Sequence, residues 1–171
     1  MRRLFYVLAL AGCADAESPT DVTLREAEFL VTVTNTAAEG ALVAADGTDV
    51  GVAFSPGVWV VRESAEPGLF EAGRTATAGE EVLAESGHVR DLLRELASVA
   101  DNRGTFGGDS ESSYGDQPLF SGDQVSFGFR ATEGQALSFA TMFGESNDTV
   151  ARGQEHPLFD DSGVPTSTRL V

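Results

Sequence analysis

In three separate runs apolar residues recur at alternate positions, without a break in two of them and with Thr141 interrupting the third, and this spacing restricts the fold more than any other feature of the chain. Within EFLVTVT, residues 28–34, Phe29, Val31 and Val33 alternate with Leu30, Thr32 and Thr34. Residues 124–131 repeat the pattern with Val125, Phe127 and Phe129, and residues 136–143 with Leu137, Phe139 and Phe143. Successive side chains of a strand point to opposite faces, so each run presents a face of rings and β-branched groups that another layer must cover. Thr132-Glu133-Gly134-Gln135 separates the last two runs by the length of a short turn, which predicts a hairpin.

The remaining segments fit around such strands. Residues 50–61, VGVAFSPGVWVV, read as two extended pieces about a turn at Ser55-Pro56-Gly57, with Trp59 as a core residue. Residues 63–79 form a long loop pinned by Leu69 and Phe70. Residues 80–100 are the one helical region. There Val89, Leu92, Leu93 and Leu96 make an apolar face at helical spacing, and Gly87 separates a short helical turn from the main helix. Residues 101–117, DNRGTFGGDSESSYGDQ, are a Gly-, Ser- and Asp-rich loop. The expected fold class is mostly β: an antiparallel β-sandwich carrying one amphipathic helix.

At 171 residues the chain has the size of a single domain. Its charge is lopsided, with 27 acidic residues against 11 basic ones, all arginine, for a net charge of −16. A nucleic-acid partner is excluded on that ground, because phosphate binding needs a basic surface. The acids are spread along the chain, as on a solvated and mutually repulsive surface. With Cys13 as the only cysteine there is no intrachain disulfide, so stability rests on the core.

The chain begins Met1-Arg2-Arg3, continues with apolar residues 4–10, and reaches Leu10-Ala11-Gly12-Cys13. A basic start and a short apolar stretch are those of a secretory leader. Leu-Ala-Gly-Cys resembles a bacterial lipobox, in which the cysteine becomes the lipidated first mature residue. Residues 1–12 are then a lipoprotein signal peptide, Cys13 the lipidation site, residues 13–27 a flexible tether and residues 28–171 the domain. Two or more acyl chains would anchor it stably in a membrane. The alternatives are a buried thiol at Cys13, or an ordinary leader ending at Ala14 or Ala16.

Recognisable catalytic chemistry is missing from the sequence. The only histidines, His88 and His156, lie in no catalytic motif, and there is no nucleophile elbow, zinc-protease helix, phosphate loop or paired-cysteine motif. A pair of carboxylates for glycoside hydrolysis has no specific signal among 27 acids. Oxygen-rich loops suited to a hard cation such as Ca²⁺ occur at residues 46–49, 109–116, 145–148 and 160–163. Each also has the composition of a plain turn.

Taken in order, FLVTVTNT (residues 29–36), FSPGVWVV (54–61), LFEAGRTATAGEEVLAESG (69–87), LSFATMFGESND (137–148) and LFDDSGVP (158–165) resemble the bacterial branch of the spondin N-terminal domain family. The resemblance spans residues 28–165. It implies a C2-like β-sandwich, extracellular and non-enzymatic, used for adhesion or for binding an extracellular protein or glycan. It also implies a calcium-type ion in a loop site, with one ligand at Asp148. The family's other ligands lie in a Trp-Asp-Ala-Gly-Thr segment that this sequence lacks before its end at Val171, so the resemblance implies a domain without its C-terminal segment and a weakened metal site. Two other function classes stay open: a carboxylate-based extracytoplasmic hydrolase and a structural envelope lipoprotein.

Overall fold

The computed structural model describes residues 24–146 and 148–169. The expected leader, Cys13, most of the expected tether and Asn147 lie outside the described residues. In chain order the first elements are β1 (Glu26–Thr34), β2 (Leu42–Val43), β3 (Asp49–Val50), β4 (Ala53–Glu63), α1 (Ala78–Ser86) and α2 (Arg90–Leu96). They are followed by β5 (Arg103–Phe106), β6 (Leu119–Phe120), β7 (Gln124–Thr132), β8 (Gln135–Phe143) and β9 (Val150–Pro157). The protein is mostly β, and every strand pair is antiparallel.

The strands form a central sheet and two smaller ribbons. The sheet runs β5-β4-β8-β9, with β6 paired to β4 beyond β5. β1 and β7 pair along their full length, from Glu26 opposite Thr132 to Thr34 opposite Gln124. This ribbon covers one face of the sheet, where Phe127 and Phe129 of β7 stack on Trp59 of β4 at centroid distances of 5.3 Å each. Phe29, Val31 and Val33 pack against the same core, as their alternation predicts. The other face of the sheet carries α1 and α2, with Val58, Val60 and Ala140 packed on Leu83, Val89, Leu92 and Leu96.

Five local expectations are corrected. β7 and β8 are consecutive but do not form a hairpin, since β7 pairs with β1 while β8 pairs with β4 and β9. The connection through Glu133 and Gly134 (φ 92°) carries the chain from one layer to the other. Covering Trp59 with the rings of β7 requires that crossing, because strands paired in one sheet cannot lie face to face.

Ser55-Pro56-Gly57 is not a turn, because β4 runs straight through it with a β-bulge between Phe54 and Gly57. Proline has no N–H to give to a ladder, and a bulge is where a strand tolerates it. Side chains replace part of the lost bonding: Met142 N–H donates to Ser55 Oγ (3.0 Å), and Thr141 Oγ1 donates to the Ser55 carbonyl (2.6 Å).

The single helix is in fact two, and α1 before Gly87 is the longer at 9 residues against 7. Gly87, at φ 68°, closes α1 in the left-handed conformation that glycine adopts without penalty. The expected loop at residues 101–117 contains β5, which lies along β4 with Gly104 opposite Trp59. Lastly, β1 begins inside the expected tether, and Arg25 is already fixed by its Nη1 donating to the Ser162 carbonyl at 2.8 Å.

Gly57 sits where the sheet and β5 crowd each other. A Cβ there would run into the Phe106 ring and stand 2.6 Å from the Ala140 carbonyl oxygen, a backbone atom that cannot rotate away. Gly57→Ala is expected to destabilise the protein by about 1–3 kcal/mol through overpacking. The check is urea unfolding, with a lower midpoint at unchanged slope.

Candidate functional site

The loop and helix face of the central sheet is organised by one buried carboxylate. Thr77 and Glu80 form a capping box: Thr77 Oγ1 accepts from Glu80 N–H at 3.2 Å, and Glu80 Oε2 accepts from Thr77 N–H at 2.8 Å. That reciprocal pair starts α1, because the first N–H groups of a helix have no intrahelical acceptor. Glu80 is only 2% exposed. Its Oε1 also takes Phe70 N–H at 2.6 Å and Arg74 Nη2 at 2.5 Å. Phe70 holds a positive φ of 52°, unusual for a residue with a side chain, and the bond to Glu80 helps to hold it there.

Glu95 of α2 supports the same corner from below. Its carboxylate accepts from Thr77 Oγ1 at 2.5 Å and from Gly79 N–H at 2.7 Å. Gly79 is required for this approach, since a Cβ would lie 2.6 Å from Leu92 N and Cα. The Leu69 carbonyl accepts from Arg152 Nη1 at 3.3 Å and from Gln154 Nε2, which ties the loop to β9.

Between this corner and the start of β9 lies an open groove of about 580 Å³. Phe70, Ala84 and Val150 supply its apolar lining, and Glu81, Glu85, Asp148 and Arg152 its charge. Asp148, the metal ligand expected from the resemblance, is exposed here. Its acidic neighbours come from α1, one turn apart at Glu81 and Glu85, and not from the other oxygen-rich loops. Among the described residues no group of three or more His, Cys, Asp or Glu side chains is placed to hold a metal ion.

Those other loops spend their carboxylates on their own turns. Asp46 Oδ1 accepts from Thr48 N–H, and this bond holds its carboxyl below the usual range. Asp116 Oδ2 accepts from Ser113 N–H, with the same effect on its carboxyl. Asp160 Oδ1 accepts from Ser162 and Val164 N–H, and Gly163 packs by Glu133 at the opposite end of β8 from Asp148. The loop at 109–116 reaches the turn at Gly144 and Glu145 that follows β8. Tyr114 reaches Glu145 with its hydroxyl (3.4 Å), and its ring fits over Gly144, where any Cβ would collide. Burial, then the Glu145 charge, pushes the Tyr114 phenol up.

The two histidines are placed apart. His88 is exposed, with Nδ1 2.9 Å from Ser86 Oγ, whose proton is donated to the Val82 carbonyl. His156 stacks on Phe139 at 6.2 Å, and burial lowers its pKa. The buried Glu80 and its support from Glu95 were not singled out by sequence reasoning. The signal that points to Glu80 is Thr77-Ala-Gly-Glu80, the spacing of a capping box.

Burial raises the pKa of Glu80, but the hydrogen bonds from Thr77, Phe70 and Arg74, with the Arg74 charge, outweigh it and hold the carboxyl below the ordinary glutamate value. The folded pKa lies below the unfolded one, so the stabilisation is complete at neutral pH and is lost as pH falls through the carboxylate range to the folded value. Glu80→Gln is expected to cost about 1.5–3 kcal/mol at pH 7. The difference between wild type and variant should shrink on acidification, which denaturant midpoints measured from pH 7 to pH 3 would test.

The chain matches no family model, and no curated protein or solved structure is significantly similar to it.

Proposed function

We propose that the chain is a non-enzymatic, membrane-anchored extracytoplasmic domain of spondin type, a C2-like β-sandwich that binds a surface or matrix component, an extracellular protein or a glycan. The observation that carries this reading is the leader: a basic and apolar start ending at Cys13, the only cysteine, followed by small, polar and acidic residues before β1. The ordered series of family-like segments supports it, as does an antiparallel β fold with a ribbon on one face of the sheet. On this reading the lipid holds the domain at the envelope and leaves the loop end with Asp148 to face outward.

The anchor is tested by Cys13→Ser. The variant should move from the membrane fraction to the soluble fraction, and membrane association unchanged from wild type would refute the anchor.

Weak divalent cation binding belongs to the same proposal. Asp148, Glu81 and Glu85 around one groove attract cations, and with no converged ligand set among the described residues the expected affinity lies in the millimolar range of loose extracellular sites. Calcium at ten times Kd would then add about 1.4 kcal/mol to stability. Thermal unfolding should show a rise in Tm of a few degrees with Ca²⁺ that Asp148→Ala removes. No rise, or an equal rise in the variant, would take Asp148 out of the site.

A further inference from the structure

The ribbon face of the central sheet holds a second and larger groove, of about 780 Å³. It opens between β1 and the end of β9, and its apolar lining includes Phe29, Val31, Val33, Phe106, Leu137 and Phe139. β1 pairs only with β7 among the described residues, so the edge of β1 beside the groove carries no ladder partner. The volume falls within the range of about 300–1,000 Å³ typical of small-molecule pockets.

Its charge is the opposite of the rest of the molecule. The chain has 27 acidic residues, yet none is among the described residues that line this groove. The ionisable lining side chains are His156 and Arg169. An apolar channel with one arginine at its mouth, a half-buried imidazole and no carboxylates suits an elongated apolar molecule with a negative end.

Two irregularities in the sheet contribute to that lining. The bulge in β4 shifts its register by one residue, which puts Phe54 on the same face as Trp59. The register shift between β8 and β9 likewise puts His156 on the face of Leu137 and Phe139. Glu155 accommodates this second shift at a positive φ of 51°, a conformation that costs a residue with a side chain roughly 1–2 kcal/mol. Without these shifts strict alternation would send Phe54 and His156 to the helix face.

The geometry points to a binding site for a free long-chain fatty acid, with the acyl chain between the β1–β7 ribbon and the central sheet and the carboxylate at Arg169. This goes beyond the envelope-binding function and does not depend on the acidic groove on the opposite face. Trp59, the only tryptophan, lies in the same core and provides an internal reporter.

The test is energy transfer from Trp59 to cis-parinarate, followed by displacement with unlabelled palmitate, using the Cys13→Ser chain so that no attached lipid competes. Saturable one-to-one binding below the self-assembly concentration is expected, with affinity falling about fourfold for each methylene removed from the competitor. Arg169→Glu, an exposed position, should weaken palmitate at least tenfold and leave methyl palmitate unchanged. Val33→Asp should abolish binding if circular dichroism shows it folded, and the Arg169 variant decides the matter if it is not. Absence of saturable transfer, displacement indifferent to chain length, or wild-type palmitate affinity in Arg169→Glu would overturn the assignment. So would a dimer by light scattering that seals the groove with a second copy and excludes the probe.

Discussion

The aromatic stack of Trp59 with Phe127 and Phe129 is the interaction on which the rest of the ribbon face depends. A two-stranded ribbon is marginal in water by itself, so β1 and β7 persist because their inner face is buried on the sheet. Each buried ring contributes about 1.5–3 kcal/mol, and a stacked pair adds about 1 kcal/mol more. Phe106 extends the stack to β5 at 5.5 Å from Phe127, and Phe29 extends it to Phe129 at 5.7 Å. Gly104 is what allows β5 to lie along Trp59, since a Cβ would meet the indole at 2.7 Å. The chain has one cysteine and therefore no intrachain disulfide, so this stack and the helix-side core share the task of holding three layers together.

On the helix side, polar chemistry plays the part that rings play on the other. Glu80 is buried at the junction of the long loop and α1, where it meets donors from Phe70, Arg74 and Thr77. A buried carboxylate is costly unless its lone pairs are satisfied, and satisfying them here fixes the loop. The loop in turn supplies Phe70 to the groove that holds Asp148. The shape of the acidic groove is thus set by a carboxylate that does not face its opening with a free charge.

What could be read from the sequence was whatever depends on local periodicity. Phe29, Val31 and Val33 face the core because strand side chains alternate, and Val89, Leu92 and Leu96 do so because helical ones recur every three or four residues. The pairing of β7 with β1 was hidden, because Phe127 and Val31 are neighbours only after the chain has folded across the whole sheet. The bulges were hidden as well. Pro56 marks a place where a strand cannot donate a hydrogen bond, but turn and bulge answer that constraint equally, and only the partners Thr141 and Met142 decide between them. Of the residues lining the acidic groove, Asp148 alone was expected as a site residue, from the family-like segment, whereas Glu81 and Glu85 come to the groove from a helix more than sixty positions earlier.

The distribution of charge between the two faces follows from the same layering. β9 alternates Val150 and Arg152 toward the acidic groove and Ala151 toward the apolar one, so one strand lines both. Simple alternation would have continued to the end of the strand and placed His156 with the acids of the helix side. The shift at Glu155 breaks the alternation and moves an aromatic, basic side chain to the acid-free side. In a chain of net charge −16, carboxylates are the cheapest solvated residues to place at any surface, and a lining without one is a departure from the composition around it. Packing alone explains why the floor of that groove is apolar. It does not explain why the rim, where solvent would accept a carboxylate freely, carries threonines and Arg169 instead, and a negatively charged occupant accounts for both.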